Sequence, residues 1–303
     1  MLSTFSALAP VFLLIALGYG LRRIDFAGDA FWPDAERLVY WVLFPALLVI
    51  STAAADLEGV RLAPTAAALV LAITTMSGLT LALKPRLGLP DPAFTSVFQA
   101  GIRCNVYVGL AAAAALYGAQ GVATFALVTA VVVPVVNVYC VVVLVHYAGA
   151  RTGPWVLARA VASNPLILAC LAGFGLNLSG LELPELPRST LDILGRSSLA
   201  LGLLCVGAAL DFERLRRARG ALLIGTGLKL VALPAVMALA LWAFGIGGAV
   251  AAAAVLYATL PIAPSSYVLA RQLGGDASLM AGMITLTTLA AVVTVPLAMA
   301  LLA

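Results

Sequence analysis

The chain has 303 residues, of which 63% are hydrophobic and only 10% charged, with a formal net charge of +4. Soluble domains average about a quarter charged residues, so this composition puts the chain in a membrane and leaves no stretch for a separate soluble domain or a nucleic-acid-binding surface. The apolar stretches are continuous rather than alternating, which excludes an outer-membrane barrel of strands about 10 residues long and leaves helices, the other way to satisfy backbone polar groups in lipid.

In chain order the apolar runs predict ten spans, over 3–21, 36–55, 62–83, 92–117, 121–147, 154–177, 189–210, 220–244, 247–272 and 277–302. Each is near the roughly 20 residues that a crossing needs. The first lacks a basic leader and ends in Arg22 and Arg23, so it reads as a span and not as a signal peptide. The seventh carries Asp192 and Arg196 in its first turns. Gly, Pro or charged residues mark most of the short gaps.

The basic residues give the orientation. Odd-numbered loops hold Arg22, Arg23, Arg37, Lys84, Arg86, Arg151, Arg159, Arg214, Arg216, Arg217, Arg219 and Arg271, whereas even-numbered loops hold only Arg61, Arg188 and Arg196. By the positive-inside rule the odd loops are cytoplasmic and both termini extracytoplasmic. The basic cluster DFERLRRAR (211–219) also suits anionic lipid headgroups. Arg103 and Lys229 are left over, both inside predicted spans.

Two stretches recur. CNVYVGL (104–110) in the fourth span aligns with PSSYVLA (264–270) in the ninth, which sets Tyr107 against Tyr267 and Asn105 against Ser265. TAVVVPVV (129–136) in the fifth aligns with AVVTVPLA (291–298) in the tenth, each with a mid-span proline, Pro134 and Pro296. Five spans is an odd number, so the second unit enters the membrane from the opposite side. The expectation is an all-α polytopic membrane protein of two inverted five-helix repeats, 1–148 and 152–303, in one transmembrane domain. Inverted repeats with a broken helix in each half are a transporter architecture, and the breaks mark the binding site. Pro261 and Pro264 break the ninth span, because proline removes a helical hydrogen bond and clashes with the preceding turn. The fourth span has no proline there, and Gly101 with the polar run Arg103–Cys104–Asn105 marks its candidate break.

Several stretches, ALAPVFLLIALGYGLRR, LVYWVLFPALLVIST, SNPLILACLAGFGL, PIAPSSYVLARQLGGD and TVPLAMALL, resemble in order and spacing the auxin efflux carrier family of membrane transport proteins. The resemblance covers essentially the whole chain. It implies the fold of sodium/proton antiporters and bile-acid symporters, with helices four and nine crossing at unwound points. Helices one, two, six and seven would form a scaffold, often dimeric; helices three to five and eight to ten would form a transport unit that moves as an elevator. It implies a bacterial inner-membrane location and a small organic anion as substrate. The family's fourth helix typically reads Pro-Asn where this chain has Cys104–Asn105, and many relatives carry Asn where it has Ser265 or Ser266.

From the residues, the candidate binding groups are Asn105, whose amide suits a carboxylate or a freed backbone group, and Ser265 and Ser266 beside Pro264. Arg103 is a costly intramembrane charge and so a functional candidate by default. Tyr107 and Tyr267 enter as symmetry mates, Asn137 because it follows Pro134 on nearly the same face, and Gln99 because it shares a face with Arg103. Pro45 predicts a kink where scaffold meets transport unit. Lys229 points to the site, to a partner carboxylate or to an interfacial position. His146 reads as interfacial, and Cys104, Cys140, Cys170 and Cys205 as packing residues without metal-motif spacing. No Asp or Glu falls at the centre of a predicted span, so the charge balance favours an anion over a proton or sodium ion held by carboxylates. No cofactor and no metal are expected, and no enzyme, since an intramembrane enzyme needs clustered catalytic groups. A sodium-coupled symporter of the bile-acid type and a non-transporting receptor are the competing functions.

Overall fold

The computed structural model describes residues 2–28, 30–54, 61–148, 162–163, 165–212 and 219–302. Among them every regular element is a helix. In chain order these are α1 (Leu2–Arg23), α2 (Phe31–Ala53), α3 (Leu62–Leu87) and α4 (Asp91–Ile102). The run Val106–Ala148 follows, and Gly118 divides it into α5 (106–117) and α6 (119–148). Then come α7 (Pro165–Ser179), α8 (Glu185–Ala208), α9 (Gly220–Ala243), α10 (Gly248–Thr259), α11 (Ser265–Leu273) and α12 (Ala277–Leu302). Seven helical runs among the described residues are long and apolar enough to cross a membrane, the longest being the interrupted stretch Asp91–Tyr147. Two shorter apolar helices are α7 and α10. The chain is therefore a multi-pass membrane protein. The start of the predicted sixth span, including Asn164 of its NPL signature, and most of the basic cluster at 211–219 lie outside the described residues.

The breaks and bends have local causes. Gly118 holds φ 62° and ψ −150°, a conformation that only glycine adopts without penalty. In α2 and α9 a single π-type turn opens the helix: Phe44 N–H donates to Val39 O, and Leu233 N–H to Leu228 O. In each case a proline follows, Pro45 or Pro234, whose missing N–H and bulky ring force the turn before it open. Pro45 thus acts through a register shift in the preceding turn. α2 also begins at Phe31, five residues before the predicted span, because Trp32 and Ala35 are buried on one face of its first turns. α8 begins at Glu185, behind Pro184, and its charges pair with each other: Arg196 Nη2 lies 2.8 Å from Asp192 Oδ2. At the α3–α4 turn Lys84 Nζ sits 2.8 Å from Asp91 Oδ1 and over the rings of Phe94 and Tyr147.

α1 packs along α8, and α2 packs on both α7 and α8. Glycines set these separations. A Cβ on Gly18 would collide with the Leu204 backbone, and one on Gly207 with the Ile15 backbone. Small residues at such contacts are the usual way for helices to approach closely in lipid. We expect Gly207→Val to force α1 off α8 and to abolish a monodisperse detergent peak, while Gly220→Val, where an added Cβ meets open space, leaves it intact. Size-exclusion chromatography of the two variants checks this. On the other side of the molecule α3 packs on α9, and α10 on the 106–148 run and on α12.

Candidate functional site at two helix breaks

α4 stops at Ile102, and Arg103 is extended with φ −83° and ψ 144°. α10 stops at Thr259, and Leu260 is extended with φ −66° and ψ 154°. The two unwound segments touch: Asn105 N–H donates to Pro261 O at 2.8 Å. Helix breaks at membrane depth leave backbone groups that need new partners, and here those partners are specific. Pro261 has no N–H, so the Tyr257 carbonyl four residues earlier loses its helical donor. Lys229 Nζ donates to that carbonyl at 3.3 Å. The Tyr257 hydroxyl donates to Ile102 O, freed by the other break, at 2.9 Å. Ile262 N–H donates to Thr287 Oγ1 at 3.2 Å. Asn105 caps α5, its Oδ1 accepting from Tyr107 N–H at 3.1 Å and Val108 N–H at 3.3 Å. α11 starts behind Pro264 with no side-chain cap. It runs antiparallel to α4, tied at one end by Arg103 Nη2 donating to Ser265 Oγ (3.3 Å), and at the other by Asp276 N–H donating to Pro92 O (2.9 Å).

A cavity of about 620 Å³ opens on this junction, within the usual range for a small-molecule site. Its walls are Pro33, Glu36, Arg37, Tyr40 and Trp41 of α2; Arg103, Cys104, Asn105, Val106 and Tyr107; Val133, Val136, Asn137 and Val141 of α6; Leu166; Tyr257; and Ala263, Pro264, Ser265, Val268 and Leu269. Among the described residues two arginines and one glutamate face it. Among the described residues no carboxylate pairs with Arg103, and its buried Nη1 has no hydrogen-bond partner. Asn105 is 1% exposed, yet its Nδ2 has no partner among the described residues. The two N–H groups on Oδ1 fix which end of that amide is which, so the orphan is a donor. An unpartnered buried donor costs about 1–3 kcal/mol. The N-terminal ends of α5 and α11 add partial positive charge. The arrangement suits a small anion with oxygen acceptors.

The structure brings Arg103, Cys104, Asn105, Tyr107, Asn137, Pro264 and Ser265 of the predicted set to one cavity. Gln99, Ser266, Tyr267, Pro45 and Pro261 do not line it. Gln99 and Ser266 are fully buried, with side-chain polar atoms that have no partner among the described residues. Tyr267 and its symmetry mate Tyr107 both pack against the hydrophobic core, but only Tyr107, stacked on Phe44 with ring centroids 4.6 Å apart, also reaches the cavity. Gly101 is not the break in the fourth span; the helix runs through it and unwinds at 103–105. Lys229 is neither interfacial nor, among the described residues, paired with a carboxylate: it is fully buried and bonded to a backbone carbonyl. His146 stands at the end of α6 against Tyr147, away from the cavity.

Sequence reasoning missed Glu36, Arg37, Tyr40, Trp41 and Tyr257. The signal in α2 was the spacing of Glu36 with Tyr40 and Arg37 with Trp41, four apart and so on shared faces. Tyr257 sits in an alanine-rich run, and its position four residues before Pro261 is the only local cue.

Residues 151–299 match the family model described as "Membrane transport protein". The chain is 27% identical to an "Uncharacterized transporter" of Methanothermobacter thermautotrophicus, over 95% of this chain and 94% of that protein. It is 28% identical to a "Putative malonate transporter" of Rhizobium meliloti, over 94% of this chain and 92% of that protein.

Proposed function

We propose that the chain is a member of the membrane transport protein family, that of the auxin efflux carriers, whose model its residues 151–299 match, and that it is a secondary transporter for a small organic anion, bound in the cavity at the two helix breaks. The observation that carries this reading is the buried, unpartnered Nδ2 of Asn105 on the cavity wall beside an arginine with no carboxylate partner among the described residues. A carboxylate would satisfy both. A short dicarboxylate is the first substrate to test, because one relative is named for malonate.

In this reading the chain has ten spans in two inverted five-helix repeats, with α4–α5 and α10–α11 as the crossing broken helices. α1, α2, α7 and α8, which pack together, are the scaffold and the homodimer contact. The remaining helices carry the substrate past them as an elevator, in a bacterial inner membrane with both termini extracytoplasmic. The cavity lies between α2 and α7 on one side and both breaks on the other, which is where a moving site would meet its scaffold.

The test is uptake of malonate, malate, succinate and indole-3-acetate into proteoliposomes, beside Arg103→Gln. Saturable uptake by the wild type, with apparent affinity lowered about 10- to 100-fold in the variant for one lost charged hydrogen bond, is expected. Uptake unchanged in Arg103→Gln would move the site away from the breaks.

A further inference from the structure

Two helix carboxyl ends, those of α4 and α10, meet at the junction. Each presents freed carbonyls and partial negative charge at membrane depth, the setting in which half-helix ends coordinate a coupling sodium ion or proton in other transporters. In this chain a side chain already stands there. Lys229 is 0% exposed. Its Nζ donates to the Tyr257 carbonyl that Pro261 leaves without a donor, and lies 5.3 Å from the centre of the Tyr257 ring. The same tyrosine ties off the α4 end through Ile102 O, so the ammonium meets the α10 end directly and is linked to the α4 end through Tyr257. Among the described residues no carboxylate pairs with Lys229, so its charge is not spent on an acid. The π-type turn at Leu228–Ala232 carries it.

We propose that the Lys229 ammonium is a built-in counter-charge for the two helix ends, taking the place of a bound alkali cation, so that anion transport by this chain is independent of sodium and potassium. It is a positioning residue: it holds Tyr257, and through Tyr257 the Asn105 wall of the cavity. The inference rests on the transporter reading, but part of its test does not.

The experiment has two arms. In proteoliposomes, wild-type uptake of the transported anion is compared in sodium, potassium and choline salts at equal ionic strength. Equal rates are expected, and a requirement for sodium or potassium would overturn the proposal. In detergent, thermal unfolding of the wild type, Lys229→Gln and Lys229→Met is followed in sodium, methylammonium and choline chloride. Gln keeps a donor for the Tyr257 carbonyl but no charge, which separates hydrogen bonding from counter-charge. The wild-type midpoint should not depend on the cation. Both variants should melt lower in choline and be raised by sodium or methylammonium, and their uptake in choline should fall about tenfold, the size expected for one charge removed from two helix ends. Variants as stable as wild type in choline, or destabilised but not rescued by any cation, would overturn the proposal. If neither variant folds, the wild-type arm still decides. If the wild type carries no anion, the transport reading fails, whereas cation rescue of the melting midpoint still judges Lys229.

Discussion

Asn105→Asp should keep the fold and its helix cap and lose its affinity for organic anions. The cap on α5 survives, because a carboxylate oxygen accepts from the Tyr107 and Val108 N–H groups as Oδ1 does now, and Asp and Asn are equally good caps. A negative charge at a helix N-terminus is favoured by about 0.3–1 kcal/mol, and with Arg103 on the same cavity wall this offsets part of the cost of burying a carboxylate. What changes is the second polar atom: the unpartnered donor Nδ2 becomes an acceptor bearing charge. The anion loses a hydrogen bond worth about 1.5–3 kcal/mol and meets a like charge, about 4 kcal/mol at 4 Å and an effective dielectric near 20. Together that exceeds about a thousandfold in affinity. Asn105→Ala differs in kind, losing both the cap, about 1 kcal/mol of stability, and the donor. Calorimetric titration with the transported anion, paired with thermal unfolding of each variant, separates the two. An Asp variant that binds the anion as tightly as wild type would leave Asn105 a cap and nothing more.

The second large effect is on stability. Tyr257→Phe removes the hydroxyl that satisfies Ile102 O and leaves a buried carbonyl bare, at about 1–3 kcal/mol. The loss is not confined to α10. Tyr257 belongs to one break by its backbone and to the other by its side chain, so both should loosen together. Hydrogen exchange should rise across 103–109 and 260–266 in the same variant, with a lowered melting midpoint. Faster exchange in only one segment would mean that the two breaks are held independently.

Much of the fold was legible because lipid imposes long apolar runs, and their ends fell close to the observed helices for α3, α9 and α12. The start of α2 was not: FWPDA (31–35) fell outside the span predicted over 36–55, and only its buried Trp32 and Ala35 reveal one apolar face. Glu36 and Arg37 lay at the edge of the predicted span, where Arg37 was read only as an orientation charge. The break at 260–264 was legible because proline forces it locally. The break at 103–105 has no proline; it is held open by Tyr257 and Pro261, which are distant in sequence, and the polar run only hinted at it. Pairing residue types across the two stretches placed Tyr107 on the cavity but not Tyr267, because aligned letters do not fix which neighbour a ring meets. The partner of Lys229 is a backbone carbonyl, which no pattern of side chains announces.

The bond that joins the two breaks runs from the Asn105 main chain to the Pro261 main chain. Its donor and acceptor are common to every amino acid except at position 105, where proline would delete the donor. Selection can therefore rewrite Cys104, Ser265 or the Asn105 side chain to suit a new cargo without dismantling the crossover. Chemical identity at the site and mechanical integrity of the site are written in different parts of the polymer, so a lineage can change what it carries while keeping how it is built.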